Sequence, residues 1–222
     1  MVSTQSDSTT TASTVRIGTA GLPHGMSRTK YFETLSFLEA DVLLRGGIKP
    51  SVLKRWRSSA PDHCGFALIA EAHFDGLSKA VESAAILRAD ALVFRSPAGA
   101  SPSARNRDDL AALFDAIPDE ARVDTTLVWV PGGLWEADGA RRFAEDHRVV
   151  AAEDPLRPDA EVAVSETAYF QLSGLGLARP RYSDDQLEYL AELASAADRA
   201  WVVFGNQDRW RDAKRLDQLL RS

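Results

Sequence analysis

AWVVFGNQDRW, residues 200–210, is the stretch whose reading decides the fold. Its apolar run stops abruptly at Gly205, Asn206, Gln207 and Asp208, the pattern of a buried last strand emerging from a sheet. In α/β proteins, ligands and catalytic groups gather where buried strands emerge at their carboxyl ends. Asn206 is therefore a candidate for orienting a ligand.

Working outward, the same signal recurs along the chain. Short apolar runs at residues 15–20 (VRIGTA), 37–44 (FLEADVLL), 65–70 (GFALIA), 91–94 (ALVF), 123–130, 149–152 and 167–172 (TAYFQL) read as strands. Between them lie helical patterns at residues 28–36, 51–59, 76–88, 108–116, 134–147 and 184–196, and a last helix is expected over residues 211–220. Ser51 and Ser183 stand where caps belong, and residues 98–106 read as a loop. Strands and helices alternating about eight times argue for parallel pairing. A compact, TIM-barrel-like (β/α)8 barrel follows, with some connecting helices short or missing, because typical barrels run about 250 residues. An open doubly wound sheet is the other solution, but no G-x-G-x-x-G follows the first strand and no Walker-type phosphate loop occurs. The sequence thus names no cofactor.

Composition sets bounds. The 222 residues are expected to form a single domain over residues 15–222, preceded by a Ser/Thr-rich tail, residues 1–14, too polar to order itself. A net charge of −6 argues against bulk binding to nucleic acid or an anionic membrane. No apolar run approaches the roughly 20 residues that span a bilayer. One cysteine, Cys64, cannot form an internal disulfide and fits a cytoplasmic location.

Polar residues at the predicted strand ends are the candidate site. Glu39 and Asp41 share one face at strand spacing and could hold a hard cation or divide acid and base roles; an ion pair or a helix cap is the plainer account. Glu71 and His73 form a Glu-x-His pair, a possible acid/base couple or half of a metal site. Arg95 could clamp an anion or simply reach solvent.

The order of IGTAG (residues 17–21), Leu38-Glu39, Trp56, YFQLSG (residues 169–174) and VVFGNQ (residues 202–207) resembles the YecE-like family, domain of unknown function 72, over nearly the whole chain after the tail. The resemblance implies a TIM-barrel-like fold with polar residues at the strand ends, in a family without an established activity. Against the family pattern Glu39 is retained, as is Asn206, while Asp41 stands for Asn and Glu71 for Lys. Trp129 and Pro131 stand for Glu and Arg, and Gln171 and Ser173 for the Arg and His of R-L-H-G. Losing those charged groups removes the means to transfer protons or clamp an anion.

Two functions are expected on this basis. One is an altered pocket at the barrel mouth that binds a small polar ligand or a protein partner without the family's chemistry, lined by Asp41, Arg95, Trp129, Gln171, Ser173 and Asn206, although a strand tryptophan next to Pro131 is more often core filler than a ligand platform. The other is a barrel enzyme, for instance a hydrolase on a small polar or anionic substrate, with Glu39, Glu71 and His73 as catalytic groups. The Lys-to-Glu inversion and the charged-to-neutral replacements favour the first.

Overall fold

The computed structural model describes residues 13–158, 160, 162–163, 165–173 and 181–221. Eight parallel strands close into a barrel in sequence order: β1 (Thr14–Ala20), β2 (Phe37–Ala40), β3 (Gly65–Glu71), β4 (Ala91–Arg95), β5 (Thr126–Val130), β6 (Val150–Glu153), β7 (Thr167–Leu172) and β8 (Arg199–Phe204). β8 completes the ring against β1, with Val202 opposite Ile17. Seven helices surround it among the described residues: α1 (Arg28–Phe32), α2 (Pro50–Ser59), α3 (Leu77–Leu87), α4 (Ala104–Asp115), α5 (Ala137–Asp146), α6 (Asp184–Ala196) and α7 (Arg209–Arg221). The shortness expected of this barrel falls on α1, of five residues, and on the β6–β7 connection, which has no helix among the described residues.

Strands with both faces covered are expected to read as continuous apolar runs, and β3 does so, with all but its last residue buried. Alternate side chains then divide between two layers. Phe37, Ala67, Ile69, Ala91, Val93, Val128, Tyr169, Trp201 and Val203 fill the barrel interior. Their neighbours, among them Leu38, Leu68, Leu92, Trp129 and Phe170, join the helices in the outer layer. Register by two therefore decides which polar residues face the interior.

Several element ends differ from the sequence reading, each for a local reason. β2 stops at Ala40 and the chain turns, so Asp41 does not continue the strand face of Glu39. Pro50 opens α2 at a position where its missing N–H costs nothing, and Lys49, not Ser51, precedes the helix. α4 begins four residues before residue 108, because Ser103 accepts the backbone N–H of Asn106. Residues 119–122 form a 3-10 turn, and β5 starts only at Thr126. α6 keeps its expected start, with Ser183 and Gln186 forming a reciprocal capping box. Of the predicted tail, residues 1–12 lie outside the described residues, whereas Thr14 already belongs to β1. No helix among the described residues is long and apolar enough to cross a membrane.

Candidate functional site

The carboxyl ends of the strands carry the polar side chains. Glu39 is in phase with the interior Phe37, and its side chain is fully buried in the barrel. From across the barrel, β7 supplies its partners: Tyr169 Oη donates to Glu39 Oε2 at 2.7 Å and Gln171 Nε2 donates to the same oxygen at 2.8 Å. Glu39 Oε1 is buried with no hydrogen-bond partner among the described residues. Burial pushes the Glu39 carboxyl above its ordinary range, against the opposing pull of the two hydrogen bonds and of the Arg95 charge, while Asp41 adds to the rise. Burial, and then the nearby carboxylate, hold the Tyr169 hydroxyl well above its ordinary value, so it acts as a donor.

Above this layer the mouth is more open. Arg95, in phase with the interior Ala91 and Val93, is half-buried and its guanidinium makes no hydrogen bond or ion pair among the described residues. Glu71 lies opposite it in the β3–β4 register and is exposed. Ser173 donates from its N (3.1 Å) and its Oγ (3.0 Å) to Asp154 Oδ2, tying the end of β7 to the end of β6. A cleft of about 500 Å³ opens beside Asp154, lined among others by Pro131, Gly133, Trp135 and Glu153.

Not every residue singled out in the sequence reaches this mouth. Trp129 is a correction: it alternates with the interior Val128 and so points outward, fully buried among Phe114, Trp135 and Phe143, with Nε1 donating to Ser96 Oγ at 2.8 Å. It cannot line a ligand pocket. Asn206 turns toward α7, where its Nδ2 donates to the buried Asp212 Oδ2 at 2.7 Å; it ties a helix to β8. Asp41 pairs on the surface with Arg45 at 2.6 Å, the ion-pair alternative to a shared face with Glu39. His73 lies exposed beyond β3, its Nδ1 accepting the N–H of Asp75 at 3.1 Å. Among the described residues no group of three or more His, Cys, Asp or Glu is placed to hold a metal ion, so Glu39, Glu71 and His73 do not assemble as one. Gly174 and Gly176 lie outside the described residues.

Tyr169 is not among the residues the sequence singles out, because aromatic residues inside strand patterns read as core. Trp201 packs 6.1 Å from Tyr169 and 6.3 Å from Phe37, and its Nε1 is buried without a partner among the described residues. The available signal was phase: Tyr169 stands two residues before Gln171, on the same face.

No protein-family model matches the chain, and no curated protein matches it in sequence. Solved structures do. A DUF72 family protein from Enterococcus faecalis V583 superposes with a TM-score of 0.71 at 15% identity, covering 96% of this chain and 99% of the other. A DUF72 family protein from Thermotoga maritima gives 0.71 at 14% identity, with 94% and 99% covered. A 3-keto-D-glucoside 4-epimerase from E. coli gives 0.61 at 14% identity, with 94% and 99% covered. The closed barrel of this chain is thus the fold of the DUF72 proteins, and sugar epimerases share it.

Proposed function

We propose that this chain is a divergent member of the YecE-like family whose barrel mouth binds a small polar ligand without proton-transfer chemistry. The observation that carries this reading is the Glu39 carboxyl: fully buried, anchored through one oxygen by Tyr169 and Gln171, and unpartnered at the other. An ionisable group kept in a barrel interior is costly, and this one lies in β2 toward its carboxyl end, the end at which barrels bind their ligands. Gln171 bonds it and the Arg95 charge acts on it, groups that hydrogen-bond but do not exchange protons at neutral pH. The named 3-keto-D-glucoside 4-epimerase shares the barrel fold. The lone buried thiol of Cys64 supports a cytoplasmic setting.

A thermal-shift panel of sugars, sugar phosphates, small acids, nucleotides and divalent metals tests it. A ligand at about 100 times its Kd adds roughly 2.7 kcal/mol, which moves the midpoint of a domain this size by about 5–10 °C. A shift that is lost in Gln171→Leu supports the mouth as the site. No shift across the panel, or a shift indifferent to that substitution, removes the proposal.

One observation favours the enzymatic alternative. A carboxyl whose proton affinity is raised by burial, beside a tyrosine, is the usual form of a general acid. Turnover of a polar or anionic substrate by the wild type, abolished in Glu39→Gln while the fold is retained, would replace binding with catalysis.

A further inference from the structure

The cations of this chain are unevenly spread. Acidic residues outnumber basic ones by 32 to 26 over the whole sequence, yet α1, α2 and α7 together carry ten Lys and Arg and two Asp. Neither α1 nor α2 contains an acidic residue. The two acids of α7 are already engaged: Asp212 is buried and pairs with Arg215, and Asp217 pairs with Arg221. The three helices adjoin one another. Tyr31 of α1 packs 5.4 Å from Trp210 of α7, and Arg28 of α1 lies 4.3 Å over the Trp56 ring of α2.

Across this strip Arg28, Lys30, Arg55, Arg209, Arg211 and Lys214 have no ion pair among the described residues. Elsewhere pairing is common, as for Arg16, Arg45, Arg141 and Arg148. Lys30, Arg55 and Arg211 stand exposed. Arg28 is half-buried, and burial first, then the Arg55 charge, disfavour its cation. An anion lying across the strip relieves that repulsion.

We propose that α1, α2 and α7 form a docking surface for duplex nucleic acid, held through its phosphates. The net charge of −6 opposes bulk association with a polyanion, but the field a partner meets is local, and the acidic remainder of the surface turns this strip toward it. Seven of the ten cations are Arg, whose planar fork pairs with phosphate through two hydrogen bonds. Protein interfaces and membrane-bound helices need apolar anchors at the surface. Among the described residues the large apolar side chains left exposed are Phe74, Val123, Leu134, Tyr189 and Leu219, of which Leu219 alone belongs to these helices. Trp56 and Trp210 are half-buried, with Arg28 and Lys214 over their rings, so they do not offer the open faces on which single-stranded bases stack. A polar, cationic surface without apolar anchors has the composition of a duplex interface. Neighbouring helix axes lie about 8–10 Å apart, so the strip spans roughly 20 Å, and a duplex with one charge per about 1.7 Å supplies more phosphates along it than there are cations to meet them.

Fluorescence anisotropy of the full chain with a labelled duplex of arbitrary sequence tests this, against the matching single strand, with polyglutamate as competitor and with vesicles of phosphatidylcholine containing phosphatidylserine. Duplex binding at low salt is expected to weaken about 100- to 2,000-fold for a fourfold rise in salt, the loss that accompanies about four to six neutralised phosphates. Lys30→Gln/Arg55→Gln/Arg211→Gln, which changes exposed side chains, should weaken duplex binding at least 10-fold and flatten the salt dependence. Arg105→Gln/Arg142→Gln, exposed on α4 and α5, should stay within twofold of the wild type. Circular dichroism checks that both variants fold. No duplex binding at low salt, or equal losses in the two variants, overturns the proposal. Preference for the single strand overturns the duplex assignment. Displacement by polyglutamate at equal charge, or binding to vesicles in place of the duplex, overturns nucleic acid as the partner in favour of an acidic protein or a membrane surface. These outcomes are separate from the polar site at the barrel mouth, which Gln171→Leu tests.

Discussion

Glu39 sets its own pH dependence on stability. Its carboxyl holds a proton more tightly in the folded chain than at its ordinary value of 4.5. Between that value and the raised one, the folded state binds more protons than the unfolded state, so the group's contribution is complete below the window and is lost as the pH rises through it. The loss is at most about 1.4 kcal/mol per pH unit for one proton. Glu39→Gln is neutral at every pH, so its stability relative to the wild type should climb as the pH rises above 4.5; urea midpoints at four pH values measure this, and a constant difference would contradict the buried neutral acid. Tyr169→Phe removes one of the two donors to Oε2 and should cost about 1–3 kcal/mol. Glu39 and Gln171 were legible as polar interruptions of apolar runs, and Arg95 as a charge at a strand exit. Tyr169 was not, because its hydroxyl role depends on a partner 130 positions away that no local pattern reveals. Trp129 is the opposite case: its place in a family-like motif suggests a pocket residue, but its phase against Val128 turns it outward into the core.

At the scale of elements, the junction of β8 and α7 shows why a polar strand end is not always a site. The run that ends at Phe204 does deliver polar residues, but Asn206 is spent on structure. Asp212, fully buried on α7, accepts from Asn206 Nδ2 at 2.7 Å, from the N–H of Tyr182 at 3.3 Å and from Arg215 Nη1 at 2.9 Å. Arg215 also donates to the carbonyl of Tyr182 at 2.8 Å and pairs with Asp184 at the start of α6. One carboxylate therefore ties together β8, α6 and α7. Removing it leaves the donors of Asn206 and Tyr182 without their acceptor, while Arg215 keeps the Tyr182 carbonyl and Asp184; at about 1–3 kcal/mol for each stranded donor, Asp212→Ala should cost about 3–5 kcal/mol. At about 2–4 °C per kcal/mol for a domain of this size, the midpoint should fall by roughly 6–20 °C in a thermal melt. Asn206→Ala should lose about 1–3 kcal/mol and leave ligand affinity unchanged; a selective loss of affinity would restore Asn206 to the site. The existence and order of all eight strands were legible, since fully covered strands announce themselves as apolar runs. Their ends were less so, because Ala40 and Thr126 are set by turns whose geometry is tertiary.

On the scale of the whole molecule, the barrel divides its labour between two ends. The carboxyl ends of the strands hold Glu39, Arg95 and Gln171, groups with unmet hydrogen-bonding capacity. The amino ends are closed by groups that satisfy one another: Arg16 of β1 pairs with Asp90 at 2.6 Å, and Asp90 Oδ2 accepts the N–H of Phe66 at 2.9 Å. Gly65, the first residue of β3, makes that closure possible, since a Cβ there would collide with both Arg16 Nη1 and Asp90 Oδ2. Gly65→Ala must therefore push the ion pair apart, at an overpacking cost of about 1–3 kcal/mol. Because residues at the amino-terminal face of such a barrel serve stability while those at the carboxyl face serve function, the two kinds of change should separate cleanly. Gly65→Ala should lower the thermal midpoint by roughly 2–12 °C while leaving the affinity of the folded protein for any ligand found in the thermal-shift panel within twofold of the wild type. Arg95→Gln should do the reverse, with the midpoint nearly unchanged in the absence of ligand and the affinity reduced. Melts and calorimetry on the two variants side by side measure the separation. Equal losses of stability and affinity in both would mean that the barrel responds as one cooperative unit and that its mouth is not an independent site.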